Sequence, residues 1–396
     1  MTEAESLASE QEVAMRKVCV VVTARPSYAR IKSVLEAVRS RSDLQLQLVV
    51  GASALLERYG PAIDVIRADG FEPDAVAYMV VEGENLVTTA KSTGLGVAEL
   101  ASVFERLEPD IVVSVADRYE TIATAIAASY MNIPLAHVQG GEITGSIDEK
   151  VRHAVTKLAD LHLVSTELAA ERVVRMGEDP ATVFLTGCPS IDLADRVARD
   201  PSPFDPFERY AGVGHPFDVD QDYVVIMQHP VTTEYSDSKQ QIDATLDALE
   251  RIDLPVFFFW PNVDAGSDQI SKRIRQFREE RELPHVYFFK NLPPEDFLRL
   301  ISRARCVIGN SSVGIRECSY LGIPVVNIGT RQHGRERGPN VIDVESSSDE
   351  IVTAVERHLA SPPVEKVHLY GDGRAGERIV EVLASCKLTI EKRLTY

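Results

Sequence analysis

The sequence contains little that would tie it to a membrane, a metal or a secretory route. No run of about 18 apolar residues occurs, which excludes a membrane-spanning helix. The first fifteen residues, MTEAESLASEQEVAM, have neither the basic start nor the apolar stretch of a signal peptide, and they are expected to form a disordered tail. The five cysteines (Cys19, Cys188, Cys306, Cys318 and Cys386) are odd in number and scattered, and no CxxC or Cys/His pair has metal-ligand spacing. They read as reduced, mainly buried thiols of a cytoplasmic protein that binds no metal. The loop after the first strand has no GxGxxG, which counts against NAD or FAD, and no cofactor is expected. Net positive charge is absent too. A formal charge of −18 argues against a nucleic-acid or acidic-membrane partner. An anionic ligand would have to be gripped locally, so basic side chains should gather around a few loops.

What the sequence does have is alternation. Its 396 residues are enough for about two or three domains with proper cores. Apolar, β-branched runs at Val18–Thr23, Leu44–Val50, Ile111–Ser114, Pro134–Val138, Leu161–Val164 and Val183–Leu185 alternate with helical patterns, the longest near Leu86–Leu107. Continuous apolar strands between helices mark a parallel sheet covered on both faces. The segment Asp200–Asp222, rich in Pro, Asp and Gly, has no period and reads as a linker. The alternation then restarts at Tyr223–Met227, Val256–Trp260, Val286–Phe289, Cys306–Ile308 and Val325–Ile328. The expectation is an α/β chain of two Rossmann-like units: a tail at 1–15, a first domain at 16–200, a linker at 201–222 and a second domain at 223–372. Residues 373–396 are expected to form a helix packing back on the first domain. Such units bind ligands at the carboxyl ends of their strands, in the cleft between them.

Several loops could carry chemistry. In Gly309-Asn310-Ser311-Ser312, followed by Gly314 and Glu317, a strand runs into a helix start, a place where backbone N–H groups and the dipole favour phosphate. The duller reading is a plain serine N-cap. Gly329–Gly338 holds Arg331, Arg335 and Arg337, the local positive patch that the acidic total calls for, unless they simply pair with Glu336 or Asp343. Arg25 and Arg30 follow the first strand and would suit a phosphate in the cleft. The densest set of titratable groups runs from Asp117 through Gln139, Glu142 and Asp148 to Arg152 and His153. Parallel topology takes these loops to one sheet edge, where carboxylates of distinct pKa can divide acid and base roles, although Asp148 could equally be a helix cap. His229, at the exit of the first strand of the second domain, is placed to face a cleft. Asn262 and Asp264 offer groups for sugar hydroxyls.

These motifs together resemble the UDP-N-acetylglucosamine 2-epimerases, most closely the hydrolysing type of sialic acid synthesis. The likeness runs from about Arg16 to Leu388. It includes Asp117-Arg118, the GGE stretch from Gly140 with RHA at Arg152, GCPS at Gly187, QHPVTT at Gln228, GNSS at Gly309, GTRQ at Gly329 and YGDG at Tyr370. The resemblance implies a GT-B-like fold with parallel sheets facing a cleft, UDP on the second domain and the sugar facing the first. It implies phosphate contacts from Arg25, His229, Ser311, Ser312 and Arg331, and a ribose contact from Glu317. Arg30, Gln139, Arg152, His153, Asn262, Asp264 and Gly314 complete the expected binding set. Asp117, Glu142 and Asp148, with His229, are the catalytic candidates. The chemistry implied is C2 proton abstraction, anti elimination of UDP to a 2-acetamidoglucal, then addition of water to give N-acetylmannosamine. Several relatives have a Glu where this chain has Gln139, and an amide cannot carry the proton. The alternatives are non-hydrolysing interconversion of UDP-GlcNAc and UDP-ManNAc, a glycosyltransferase of the same architecture, or a silent nucleotide-sugar binder. A UDP-sugar is the expected small-molecule partner, and a homodimer or homotetramer the expected assembly.

Overall fold

The computed structural model describes residues 15–56, 62–83, 85–115, 118, 120–145, 147–261 and 266–395. Two sheets of seven strands organise the chain. The first contains β1 (Arg16–Val22), β2 (Leu44–Gly51), β3 (Ala75–Ala77), β4 (Ile111–Val115), β5 (Leu135–Val138), β6 (Leu161–Val164) and β7 (Val183–Leu185), in the order β3-β2-β1-β4-β5-β6-β7 with every pairing parallel. The second contains β8 (Val213–Gly214), β9 (Val224–Met227), β10 (Val256–Phe259), β11 (Val286–Phe289), β12 (Cys306–Gly309), β13 (Val325–Ile328) and β14 (Val341–Val344), in the order β14-β13-β12-β9-β10-β11-β8. Only β8 runs antiparallel, against β11. It comes from the segment whose composition reads as a linker, which also holds the short helix Pro206–Arg209.

Strand composition explains the layering. β1, β4, β9 and β12 are buried along their central residues, and alternate side chains feed separate apolar clusters on the two faces of each sheet. Each sheet reverses its strand order once, between β1 and β4 and between β9 and β12. The loops leaving these strands therefore open the crevices where doubly wound folds bind ligands. Helix ends are set locally as well. Asn85 accepts from the Val87 and Thr88 amides, in a reciprocal capping box that starts the long helix Leu86–Leu107. Among the described residues no helix is long and apolar enough to cross a membrane.

Two elements tie the halves together. The helix Pro189–Arg199 buries Ile191, Leu193 and Ala194 in the same cluster as Val225, Phe257 and Phe289 of the second sheet. The helix Ala375–Ser385 returns the chain to the first domain, where Ile379, Val380 and Leu383 join the β1–β2 core. Beyond it, Lys392 reaches the buried Glu178 carboxylate at 2.5 Å and donates to Thr156 O at 3.2 Å and to Ala159 O, closing the C-terminal end of the helix Asp148–Leu158. Lys157 (2.5 Å) and His162 (3.0 Å) bond to the same carboxylate. Burial opposes the charge on Glu178, but its bonds to His162, Lys157 and Lys392 outweigh this and hold the group down to about 2. A carboxyl whose folded pKa is depressed stabilises above its unfolded value, and that stability fades as pH falls through the interval between the two. Wild type is accordingly expected to exceed Glu178→Gln by roughly 3 kcal/mol at neutral pH. The gap should narrow steadily below about pH 4.5, as read from urea midpoints across that range.

Candidate active site

A cleft of about 170 Å³ lies between the two switch points. Its second-domain wall is the loop that leaves β12. Ser311 caps the helix Ser312–Ile315, accepting from Val313 N at 3.5 Å, and Arg316 then breaks the helical path. A helix of four residues carries little macrodipole, so the hold on an anion here falls mainly to side chains. Asn310 fixes the neighbouring loop, accepting from His229 N at 2.7 Å and donating to His229 O at 2.8 Å. Arg331 (3.2 Å) and Gln332 (2.9 Å) donate to Asn310 O. His229 and Arg331 thus reach the cleft from backbone that is held at several points.

The first-domain wall supplies Arg25, Arg30, Arg118 and Asp148. Arg30 Nη2 crosses to Ser312 Oγ at 3.1 Å, and Arg316 Nη2 donates to the same oxygen at 2.9 Å. Arg118 pairs with the buried Glu120 at 3.2 Å. Desolvation pulls the Arg25 guanidinium down to about 10, so it stays charged at neutral pH, with its hydration replaced by the cleft. Arg25, Arg30, Arg118, Arg316 and Arg331, with Lys290, all face one cleft in a chain of net charge −18. The expected local concentration of basic groups is realised. Its membership differs, because Arg335 is buried away from the cleft lining and Arg337 pairs with Asp343. Phe259, Trp260, Leu292, Phe297 and Leu298 form an apolar wall on the second domain.

The described members of the acidic cluster divide between the cleft and the interior. Asp148 sits in the first turn of the helix Asp148–Leu158 and lines the cleft, but the residue before that helix is Ile147, so Asp148 is not its N-cap. Arg152 and His153 turn instead to Glu149, at 2.9 and 2.8 Å. Arg152 also donates to the Glu142 carbonyl at 2.8 Å and is fully buried. The Glu142 carboxylate does not line the cleft and lies against a buried pair of arginines, Arg335 at 3.1 Å and Arg316 at 3.7 Å. Burial lowers the Arg335 guanidinium. Arg316 is pushed up, because Cys188, Glu317 and Glu142 outweigh its own desolvation. Gln139 is buried in a left-handed conformation (φ 69°), its Nε2 on Cys188 Sγ at 2.6 Å. Gly314 packs against Val325, where a Cβ would crowd Cγ1 at 2.8 Å, so it serves close packing. Ser311, Ser312 and Glu317 line the cleft as expected. Asp117, Asn262 and Asp264 lie outside the described residues. Sequence reasoning gave no site role to Arg118, Ser190, Lys290 or Arg316, although Arg118 and Arg316 each adjoin an acid that it did choose.

Comparison with known proteins fits this geometry. Residues 36–384 match the sequence profile of the family described as UDP-N-acetylglucosamine 2-epimerase. A UDP-N,N'-diacetylbacillosamine 2-epimerase (hydrolyzing) from Legionella pneumophila is 33% identical over 374 residues, covering 94% of this chain and 97% of the relative. A UDP-N-acetylglucosamine 2-epimerase from Neisseria meningitidis is 27% identical over 373 residues, covering 93% and 95%. The crystal structure of Methanocaldococcus jannaschii UDP-GlcNAc 2-epimerase in complex with UDP-GlcNAc and UDP has the same GT-B-like fold. Its TM-score is 0.77 at 17% identity, covering 93% of this chain and 99% of that one.

Proposed function

Because this chain belongs to the UDP-N-acetylglucosamine 2-epimerase family, and is an enzyme of that kind, we propose that it inverts C2 of a UDP-linked 2-acetamido sugar and releases the free sugar. The observation that carries this reading is the arginine-rich cleft between the switch points, with Ser312 bonded from both sides. The diphosphate would lie against Arg25, Arg30, Ser311, Ser312, His229 and Arg331, the ribose beside Glu317, and the uracil on the apolar wall at Phe259, Trp260 and Phe297. A carboxylate takes the C2 proton while the bond from C1 to the diphosphate oxygen breaks, forming the C1–C2 double bond of a 2-acetamidoglucal and UDP. The guanidinium groups stabilise the charge that builds on the leaving group. Water then adds at C1 as C2 is reprotonated on the opposite face. Asp148 takes that role in this reading, because it lines the cleft from the first domain whereas Glu142 and Glu149 do not line it.

Water as the second reactant is supported by the hydrolyzing relative from Legionella. Its substrate makes a UDP-2,4-diacetamido-6-deoxy sugar the natural second compound to test beside UDP-GlcNAc. Incubation of each in deuterated water, followed by NMR, should give UDP and a free C2-inverted sugar carrying deuterium at C2. A UDP-linked epimer with deuterium at C2 would instead mark the non-hydrolysing reaction. UDP release only when a sugar acceptor is added would mark a glycosyltransferase, and products without C2 deuterium would sink the elimination route.

A further inference from the structure

Glu142 belongs to the first domain, on the loop after β5, yet its carboxylate is paired with the second. Oε2 lies 3.1 Å from Arg335 Nη2 and 3.7 Å from Arg316 Nη1, and the three residues are 3%, 4% and 2% exposed. Two guanidinium groups buried so close together repel each other unless a shared anion lies between them. Arg316 in turn donates to Ser312 Oγ at 2.9 Å, and Arg30 donates to the same oxygen at 3.1 Å. A hydroxyl has two acceptor lone pairs and one proton. With both lone pairs occupied by guanidinium donors, the Ser312 proton is left to donate, and Ser312 lines the cleft.

We propose that Glu142 is a positioning residue. Its carboxylate, delivered from the opposite domain, holds Arg316 in place, and Arg316 together with Arg30 fixes the Ser312 hydroxyl as a hydrogen-bond donor to the diphosphate of the ligand. The proposal rests on the UDP-sugar reading above. It also gives a role to an acid whose carboxylate lies against two arginines of the second domain: the grip on the leaving group is completed only by a residue from the other half of the molecule.

The test uses the full-length protein and UDP as the probe. Glu142→Gln keeps the shape and removes the charge, and it should weaken UDP binding in calorimetry by about tenfold or more. The limbs of the kcat pH profile should stay where they are, and deuterium should still enter C2 in each product molecule. Glu142→Asp should fall between the two. Replacing Arg335 with Gln in the Glu142→Gln background should restore part of the lost affinity, because the uncompensated charge is gone; this rescue also separates positioning from general instability. Unchanged UDP affinity in Glu142→Gln would overturn the proposal. So would loss of C2 exchange with UDP binding intact, or a double variant no better than the single one. Failure of the wild-type protein to bind UDP would bring down the functional reading itself, and it would be seen before any variant is made.

Discussion

Asp148→Asn is expected to lower turnover by about a thousandfold while leaving UDP affinity within a factor of about three. The asymmetry follows from where the side chain stands. Asp148 lines the cleft from the first domain, whereas Ser311, Ser312, Glu317 and Arg331 line it from the second. Asn keeps the size and the polar contacts and loses the ability to accept a proton, so a loss confined to kcat is the mark of a group used in the transition state. Its neighbours cannot replace it. Glu149 already bonds to Arg152, His153 and the Thr144 amide, and Glu142 lies between two guanidinium groups. Deuterium incorporation at C2 and UDP calorimetry on the same preparation check both halves of the expectation. An equal fall in turnover and in UDP affinity would assign Asp148 to binding rather than proton transfer.

Gly309→Ala is expected to cost roughly 3 kcal/mol or more in stability and to abolish measurable UDP binding. Gly309 is the last residue of β12 and pairs with Met227 of β9, the two strands on either side of the second switch point. Its φ is 134°, a conformation that side-chain-bearing residues rarely adopt, and an added Cβ would run into the Met227 carbonyl, which belongs to the backbone and has little room to move. Any relaxation must shift either the strand pair or the loop that carries Asn310, Ser311 and Ser312. Chemical denaturation reports the first and UDP calorimetry the second. A variant of normal stability with intact binding would mean that the loop tolerates the side chain after all.

The framework of the fold could be read from sequence because burial on both faces writes itself as unbroken apolar runs. β1, β4, β9 and β12, the strands that define both crevices, all have that form. The strands not anticipated lack it. β3 is Ala-Val-Ala, β8 is two residues long, and β14 is Val-Ile-Asp-Val with every residue partly exposed. At the site, residues that follow a strand directly (Arg25, His229, Ser311, Ser312 and Arg331) were found because topology alone sends them to the cleft. Glu142 also follows a strand, but its direction is set by Arg316 and Arg335, which are distant in the chain, and nothing in the local sequence records that pairing. Arg152 and His153 are drawn away by Glu149, three and four residues earlier on the same helix, a helical spacing that the sequence itself displays.

The return of the chain to the first domain bears on how the molecule is made. Residues 16–22 form a central strand of the first sheet, yet the apolar cover of that region is completed by Ile379, Val380 and Leu383, and Lys392 closes the helix that carries Asp148. The second domain is a continuous stretch between these parts. During synthesis it can therefore finish its core while the first domain still lacks a piece, reversing the N-terminal-first order common in multidomain proteins. The first domain closes through contacts between residues 18–22 and 379–383, which lie far apart in sequence, and contacts of that kind form slowly.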